Sequence, residues 1–403
     1  MAKKTNDPMV QLLAPDGSLA PSERAEEFIP YFEQLTDENI QRFYRDMSVI
    51  RRFDTEATNL QRQGQLALWI PSHGQEGAQV GSAHATRPQD HIFPAYREHA
   101  IAMIRGVDLF DLIRLLRGLT HGGWNPNDPR FRNFHLYTLV IGSQSLHATG
   151  YAMGIKFDGD YATGNYETDQ AVIVYFGDGA SSQGDVHEAM VFATSQQTPQ
   201  VFFVQNNHWA ISVPVSVQAR VPLYRRADGY GMPGVQIDGN DVFASYAVTA
   251  KLMDDARQGR GPAMIEAETY RIGAHTSSDD PTKYREDSEL NSWIARDPIT
   301  RLEAYLRNKG VEQAFFDEVA QEGADYSADI RHRLVAIENP DPASMFANVY
   351  SEPHPLMAEQ AAWLANYESS FGEQESASAN ASKLTPDANS LEESAPTVEG
   401  GDA

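Results

Sequence analysis

Two short segments carry oxygen-bearing side chains at a spacing that could hold a cation and an anion together. Gly177-Asp178-Gly179 opens the run GDGASSQGD, and Asn206-Asn207 closes VQNN, so Asp178 and Asn207 stand 29 residues apart. Each directly follows a run rich in β-branched and aromatic residues, AVIVYF at 171–176 and VFFVQ at 201–205, and such runs read as strands. One crossover helix between them brings both strand ends to the same edge of a sheet, where a carboxylate and an amide oxygen converge. That pair suits a hard cation that keeps phosphate oxygens as further ligands, which is the habit of magnesium. Glycines at 177 and 179 let the backbone approach a diphosphate, and the next helix N-terminus adds a dipole that favours anions. Either segment alone is an ordinary turn or loop. The reading rests on finding both, each at a strand end, one helix apart.

The elements that must position these residues alternate at α/β spacing. Further strands are expected at 235–238 and 263–270, with helices over 185–195 and 241–256, both with acidic first turns. Strands buried on both faces and joined by helices imply a parallel sheet, with ligands beyond the carboxyl ends of its strands. Apolar residues recur at three- and four-residue steps over 39–60, and a second amphipathic helix is expected over 100–116, ended by Gly118. Helices are expected again at 297–309 and 311–337. The domain reading is a leader arm over 1–35, whose apolar stretch at 10–13 could lie along something larger, an α/β domain with C-terminal helices over 36–371, and a disordered acidic tail over 372–403. The fold class is α/β, a mostly parallel central sheet with helices on both faces plus helical extensions at each end.

Composition removes whole classes of function. The 403 residues hold 32 Lys and Arg against 56 Asp and Glu, a formal net charge of −24. No basic face is available to grip a nucleic acid. No apolar run approaches the ~18 residues of a membrane-spanning helix, and the first residues contain no apolar secretory core. With no cysteine, disulfides, thiolate metal sites and Cys nucleophiles are all excluded, and a reducing cytoplasm is the natural location.

The GDG and NN segments together resemble the thiamine diphosphate motif, and longer stretches are more specific still: FGDGASSQGDVHEA, VQNNHWAISVPVS, AYREHA, IDGNDV and YRIGAHTSSDDPTKYR. From about Phe43 to Tyr350 the chain resembles the alpha subunit of the decarboxylase component of 2-oxo acid dehydrogenase complexes, of the two-chain type. The resemblance implies a thiamine diphosphate-binding fold, with thiamine diphosphate and Mg2+ as cofactors. It assigns Asp178 and Asn207 as magnesium side-chain ligands and the Trp209 backbone carbonyl as the third protein ligand. Gly179 and Ala180 would meet the diphosphate through backbone amides, and Tyr96 and Arg97 would hold it from the other side. Leu139 and Ile141 would hold the aminopyrimidine through backbone groups, and His275 would sit near the diphosphate and assist acyl transfer. His73 and His99 keep two readings, channel lining or packed structural histidine. Thr276 stands where animal relatives carry a phosphorylated serine, so no kinase switch is carried over.

The resemblance also implies partners. The chain is too short to hold the second, pyrimidine-binding domain, so a separate beta subunit in an α2β2 heterotetramer is expected, with acyl transfer to the lipoyl domain of an acyltransferase core. The substrate is a small 2-oxo acid. The motifs LVIGSQ and QNN-AIS-PV lean to pyruvate and IDGNDVFASY and YRIGAHTSSDD to branched-chain acids; pyruvate is the substrate expected, narrowly, with the branched-chain acid as the alternative. Acetoin and a non-catalytic assembly role are the further alternatives.

Overall fold

The computed structural model describes residues 9–119, 124–338 and 340–371. The expected acidic tail and the first eight residues of the expected leader lie outside the described residues. The described residues form strands β1 (His91–Phe93), β2 (Val172–Gly177), β3 (Gln200–Asn206), β4 (Trp209–Ala210), β5 (Val213–Pro214), β6 (Gly234–Asp238) and β7 (Ala263–Glu268). Five make one sheet in the order β1-β2-β3-β7-β6 with every pair parallel, and β4 and β5 form a small antiparallel hairpin.

The parallel arrangement follows from burial. Successive residues of β2 enter opposite cores: Ile173 and Tyr175 join one apolar cluster, Val172, Val174 and Phe176 the other. β3 splits the same way, with Val201 and Phe203 on the first side and Phe202 and Val204 on the second. A strand that is apolar on both faces needs cover on both, and crossover helices provide it. Gln144–Asp158 precedes β2, Gly184–Gln196 joins β2 to β3, and Val242–Asp255 joins β6 to β7.

Residues 10–13 of the expected leader lie within the first core. Val10 exchanges backbone hydrogen bonds with β6, its amide donating to Gln236 at 2.9 Å and its carbonyl accepting from Asp238 at 3.0 Å. The Asp241 carboxylate serves both sides of this junction. One oxygen caps the helix Val242–Asp255 by accepting from the amides of Phe243 and Ala244, while the other accepts from the amides of Leu12 and Leu13 at 2.6 and 2.7 Å.

The helix expected over 100–116 is two helices, His99–Ile104 and Leu109–Arg117. Gly106 adopts φ +87°, which stops the first, and the Asp108 side chain accepts from the Phe110 amide at 2.9 Å to start the second. The long helix Asp37–Arg62 opens with a capping box between Thr36 and Asn39 and packs its apolar face on Gln313–Val335.

The chain divides into two compact units, 1–337 and 338–403. The described part of the second unit holds a short turn, Pro342–Phe346, and the helix Pro355–Ser369, neither with a buried residue. Among the described residues no helix is long and apolar enough to cross a membrane.

Candidate functional site

Beyond the carboxyl ends of β2 and β3 opens a cavity of about 280 Å³. Tyr96, Arg97, Ile141, Asp178, Gly179 and Ala180 line it, together with Asn207, Trp209 and His275. Leu139, two residues before Ile141, is not on this wall and is more than half exposed.

Asp178 follows the last residue of β2 and is 1% exposed. Its Oδ2 accepts from Gln218 Nε2 at 3.3 Å, whereas its Oδ1 is buried with no hydrogen-bond partner among the described residues. Burial raises its pKa above the usual carboxylate value. Next to it, a Cβ on Gly179 would lie 2.7 Å from the Cβ of Ala210, so only glycine lets β4 pass this close. Asn207 follows β3; its Oδ1 accepts from the Trp209 amide at 3.2 Å and its Nδ2 donates to Gln75 Oε1 at 2.7 Å. Among the described residues no group of three or more His, Cys, Asp or Glu could hold a metal. A cation here would therefore take one carboxylate, an amide oxygen, and oxygens brought by the ligand.

Arg97 supplies the cation of the site. It is buried, its Nη2 donates to the His275 carbonyl at 3.0 Å and to His275 Nδ1 at 3.2 Å, and its Nη1 donates to the Pro71 carbonyl. The guanidinium lies 5.8 Å from the Tyr96 ring centroid. Arg271, which the sequence reading left without a role, is 1% exposed and donates to the carbonyls of Trp209 at 3.0 Å and Ile211 at 2.7 Å and to the Tyr284 hydroxyl at 2.7 Å. The Trp209 carbonyl thus already has one donor, leaving one lone pair. Asp279 accepts from the His275 amide at 2.8 Å and from the Tyr284 hydroxyl, and Arg285 donates to the carbonyls of Arg271, Ile272 and Gly273. The loop bearing His275 is tied at both ends.

Burial, followed by the nearby guanidinium groups of Arg97 and Arg271, lowers the His275 pKa to about 4. Both guanidiniums can only donate, so Nδ1 accepts and the proton of the neutral ring sits on Nε2. Imidazole NMR should show this tautomer at pH 7 and a titration midpoint near 4. A midpoint of 6 or above would contradict the geometry. Because the folded value lies below the ordinary 6.5, this residue costs stability as pH falls from 6.5 toward 4.

His99 is a packed structural histidine: it is wholly buried, one ring nitrogen meets the Ile70 carbonyl at 2.7 Å and the other the Tyr137 hydroxyl at 2.8 Å. His73 is not on the cavity wall. Sequence reasoning also passed over Gln75, Glu98 and Gln205. Gln205 Nε2 donates to Glu98 Oε1 at 2.6 Å, and Glu98 Oε2 accepts from the Arg97 amide at 3.1 Å, which fixes the backbone that carries the guanidinium. For Glu98 and Gln205 the one signal was position, beside Arg97 and near the end of β3; Gln75 carried none.

Comparison with known proteins agrees with this geometry. Residues 44–338 match the family model described as dehydrogenase E1 component. The chain is 41% identical over 353 residues to the 3-methyl-2-oxobutanoate dehydrogenase subunit alpha of Mycobacterium tuberculosis, covering 87% of this chain and 92% of that one. It is 35% identical over 333 residues to the pyruvate dehydrogenase E1 component subunit alpha of Acholeplasma laidlawii, covering 81% and 93%. The corresponding Staphylococcus aureus protein is 34% identical over 357 residues, covering 87% and 91%. With a buried, half-unpartnered aspartate and an asparagine at adjacent strand ends, and a family model spanning most of its length, the chain belongs to the dehydrogenase E1 component family, as an alpha subunit of a 2-oxo acid dehydrogenase.

Proposed function

We propose that the chain binds magnesium thiamine diphosphate in this cavity and, with a beta subunit, oxidatively decarboxylates a 2-oxo acid and passes the acyl group to a lipoyl group. The family implies thiamine diphosphate. The observation that carries the metal part is Asp178 Oδ1, a buried acceptor with no hydrogen-bond partner among the described residues, on the same cavity wall as Asn207 and Arg97. Such an atom fits a cation that arrives with its ligand. The start of the helix Gly184–Gln196 fits a diphosphate.

When bound, thiamine diphosphate supplies the electron sink for decarboxylation. The residues of this chain do the holding and orienting. Asp178 and Asn207 offer oxygens to the cation, with the remaining lone pair of the Trp209 carbonyl as a third. Arg97 offers charge-assisted donors to the diphosphate, joined by the backbone amides of Gly179 and Ala180 and the hydroxyl of Tyr96. Backbone groups of Ile141, on the cavity wall, are placed to steady the aminopyrimidine. His275, neutral with its proton on Nε2, can donate a hydrogen bond from that nitrogen near the acyl-transfer step.

For the substrate, 41% identity to a 3-methyl-2-oxobutanoate dehydrogenase subunit against 34–35% to pyruvate dehydrogenase subunits favours the branched-chain acid. Pyruvate, favoured by the motifs, is the second reading. The test is decarboxylation by the chain co-expressed with its beta subunit, with an artificial electron acceptor and both acids offered in parallel. Turnover that needs thiamine diphosphate, Mg2+ and both chains is expected, with the higher kcat/KM on 3-methyl-2-oxobutanoate. Full-rate turnover by this chain alone would remove the two-chain arrangement, and a higher kcat/KM on pyruvate would reverse the substrate order.

A further inference from the structure

We propose that Gln75 is a positioning residue that keeps the oxygen of Asn207, rather than its nitrogen, turned to the cation; this rests on the magnesium diphosphate reading above. The two ends of a carboxamide have nearly the same shape, and its orientation is decided by what each end meets. The Trp209 amide can only donate, so the end of Asn207 that it meets at 3.2 Å is Oδ1. The other end is then Nδ2, which needs an acceptor, and Gln75 Oε1 provides it at 2.7 Å. Without that acceptor Nδ2 would be a buried donor with nothing to give to, and the Trp209 amide alone would oppose the flipped amide, which presents a nitrogen that cannot ligate a cation.

Three observations assign this job to Gln75 and not to packing in general. First, its Nε2 is buried and has no partner, so among the described residues the side chain's hydrogen bond is the one to Asn207. It therefore cements no other part of the fold. Second, its backbone is fixed before any ligand arrives. Gln75 N donates to the Ser72 carbonyl at 2.9 Å, the Gly74 carbonyl accepts from Thr269 Oγ1 at 2.6 Å, and Gly74 itself holds φ +98° against the Tyr270 carbonyl, where an added Cβ would clash. Third, the neighbouring amide shows the contrast. Asn206 gives its Nδ2 to the buried carboxyl of Glu266 at 2.7 Å and its Oδ1 accepts from the His208 amide at 3.1 Å, while Asn206 is absent from the cavity wall. The same chemistry appears twice at the end of β3, once turned inward as structure and once turned to the cavity with Gln75 as its stop.

The test is an electron paramagnetic resonance titration with Mn2+ in place of Mg2+, in saturating thiamine diphosphate, on the full-length chain co-purified with its beta subunit. Gln75→Met keeps length and volume but removes the acceptor; Gln75→Glu keeps an acceptor oxygen. Mn2+ affinity should fall about 10- to 100-fold for Gln75→Met, the range for lost outer ligands that orient a metal-binding group, and stay within about twofold of wild type for Gln75→Glu. The metal-free melting temperature should fall by only a few degrees in Gln75→Met, the cost of one unsatisfied buried donor. Unchanged affinity in Gln75→Met, equal losses in both variants, or a loss in Gln75→Met accompanied by a large drop in melting temperature would each overturn the proposal. Absence of Mn2+ binding in the wild type would overturn the cofactor reading itself, and is distinguishable because it needs no variant.

Discussion

Asp178→Asn should melt no lower than the wild type at pH 7 in the absence of ligands, yet lose its catalysis. The wild-type carboxyl is 1% exposed and one of its oxygens has no hydrogen-bond partner among the described residues. Burial raises its pKa above the unfolded value of 3.8, so the ionised form costs folding free energy at neutral pH, and that cost fades as pH falls through the folded value toward 3.8. Asparagine has the same shape and never ionises. The variant's advantage in melting temperature should therefore be present at pH 7 and vanish near pH 4. On the proposed reading activity moves the other way, because the cation would lose its one anionic protein ligand. A drop in kcat/KM of about 10³-fold is expected, about 4 kcal/mol at 1.36 kcal/mol per decade. Thermal melts at the two pH values and steady-state kinetics check both halves. A variant that melts lower at pH 7, or that keeps its activity, would show that this carboxylate serves the fold instead.

Arg271→Met carries the second large effect, and here stability and activity should fall together. The guanidinium holds the carbonyls of Trp209 and Ile211 and the hydroxyl of Tyr284, joining the β4–β5 hairpin to the loop that bears His275. Ile211 is a β-branched residue at φ +56°, a conformation that needs outside support. Methionine fills much of the volume but takes the donor from two part-buried carbonyls and the Tyr284 hydroxyl, at a cost of about 1–3 kcal/mol in stability. Loosening the hairpin and the loop by even 1 Å should reduce kcat/KM on the order of 100-fold. Arg271→Lys, which can reach one acceptor but lacks the planar fork, should fall between the two. The check is thermal unfolding together with amide hydrogen exchange over residues 209–214 and 272–285. Wild-type protection of both segments in Arg271→Met would mean that they are held by other contacts.

The parts of this site that were legible in the sequence are those whose chemistry is local. Gly-Asp-Gly after an apolar run and Asn-Asn after the next announce themselves by residue type, and the sheet brings Asp178 and Asn207 to one cavity because β2 and β3 pair in register, Gly177 opposite Gln205. Arg271 and Gln75 could not be read this way. Each acts on a residue tens of positions or more distant, 62 for Arg271 and Trp209 and 132 for Gln75 and Asn207, and nothing in the flanking sequence encodes that partner. Helices show the same division. Helix Asp37–Arg62 was plain from its apolar spacing, whereas Gln144–Asp158 was passed over because Gly150 and Gly154 and a mixed polarity blur the period. The break at Gly106 was missed because glycine inside an amphipathic pattern is compatible with a continuous helix until its φ is known.

The two-sided burial of β2 and β3 has a consequence for how the chain reaches its native state. Val172–Phe176 and residues 201–204 contain no charge, and each must wait for neighbours distant in the chain: β1 lies about 80 residues before β2, and β7 about 60 after β3. Pairings of such high sequence separation form late, because loop closure is costly before the contacts reward it. Until then two uncharged, β-prone segments are open to other chains. In a crowded cell the hazard of this protein is therefore greatest during synthesis, when its most buried strands are also its stickiest, and slower translation or a holding chaperone would act on yield without touching the finished enzyme.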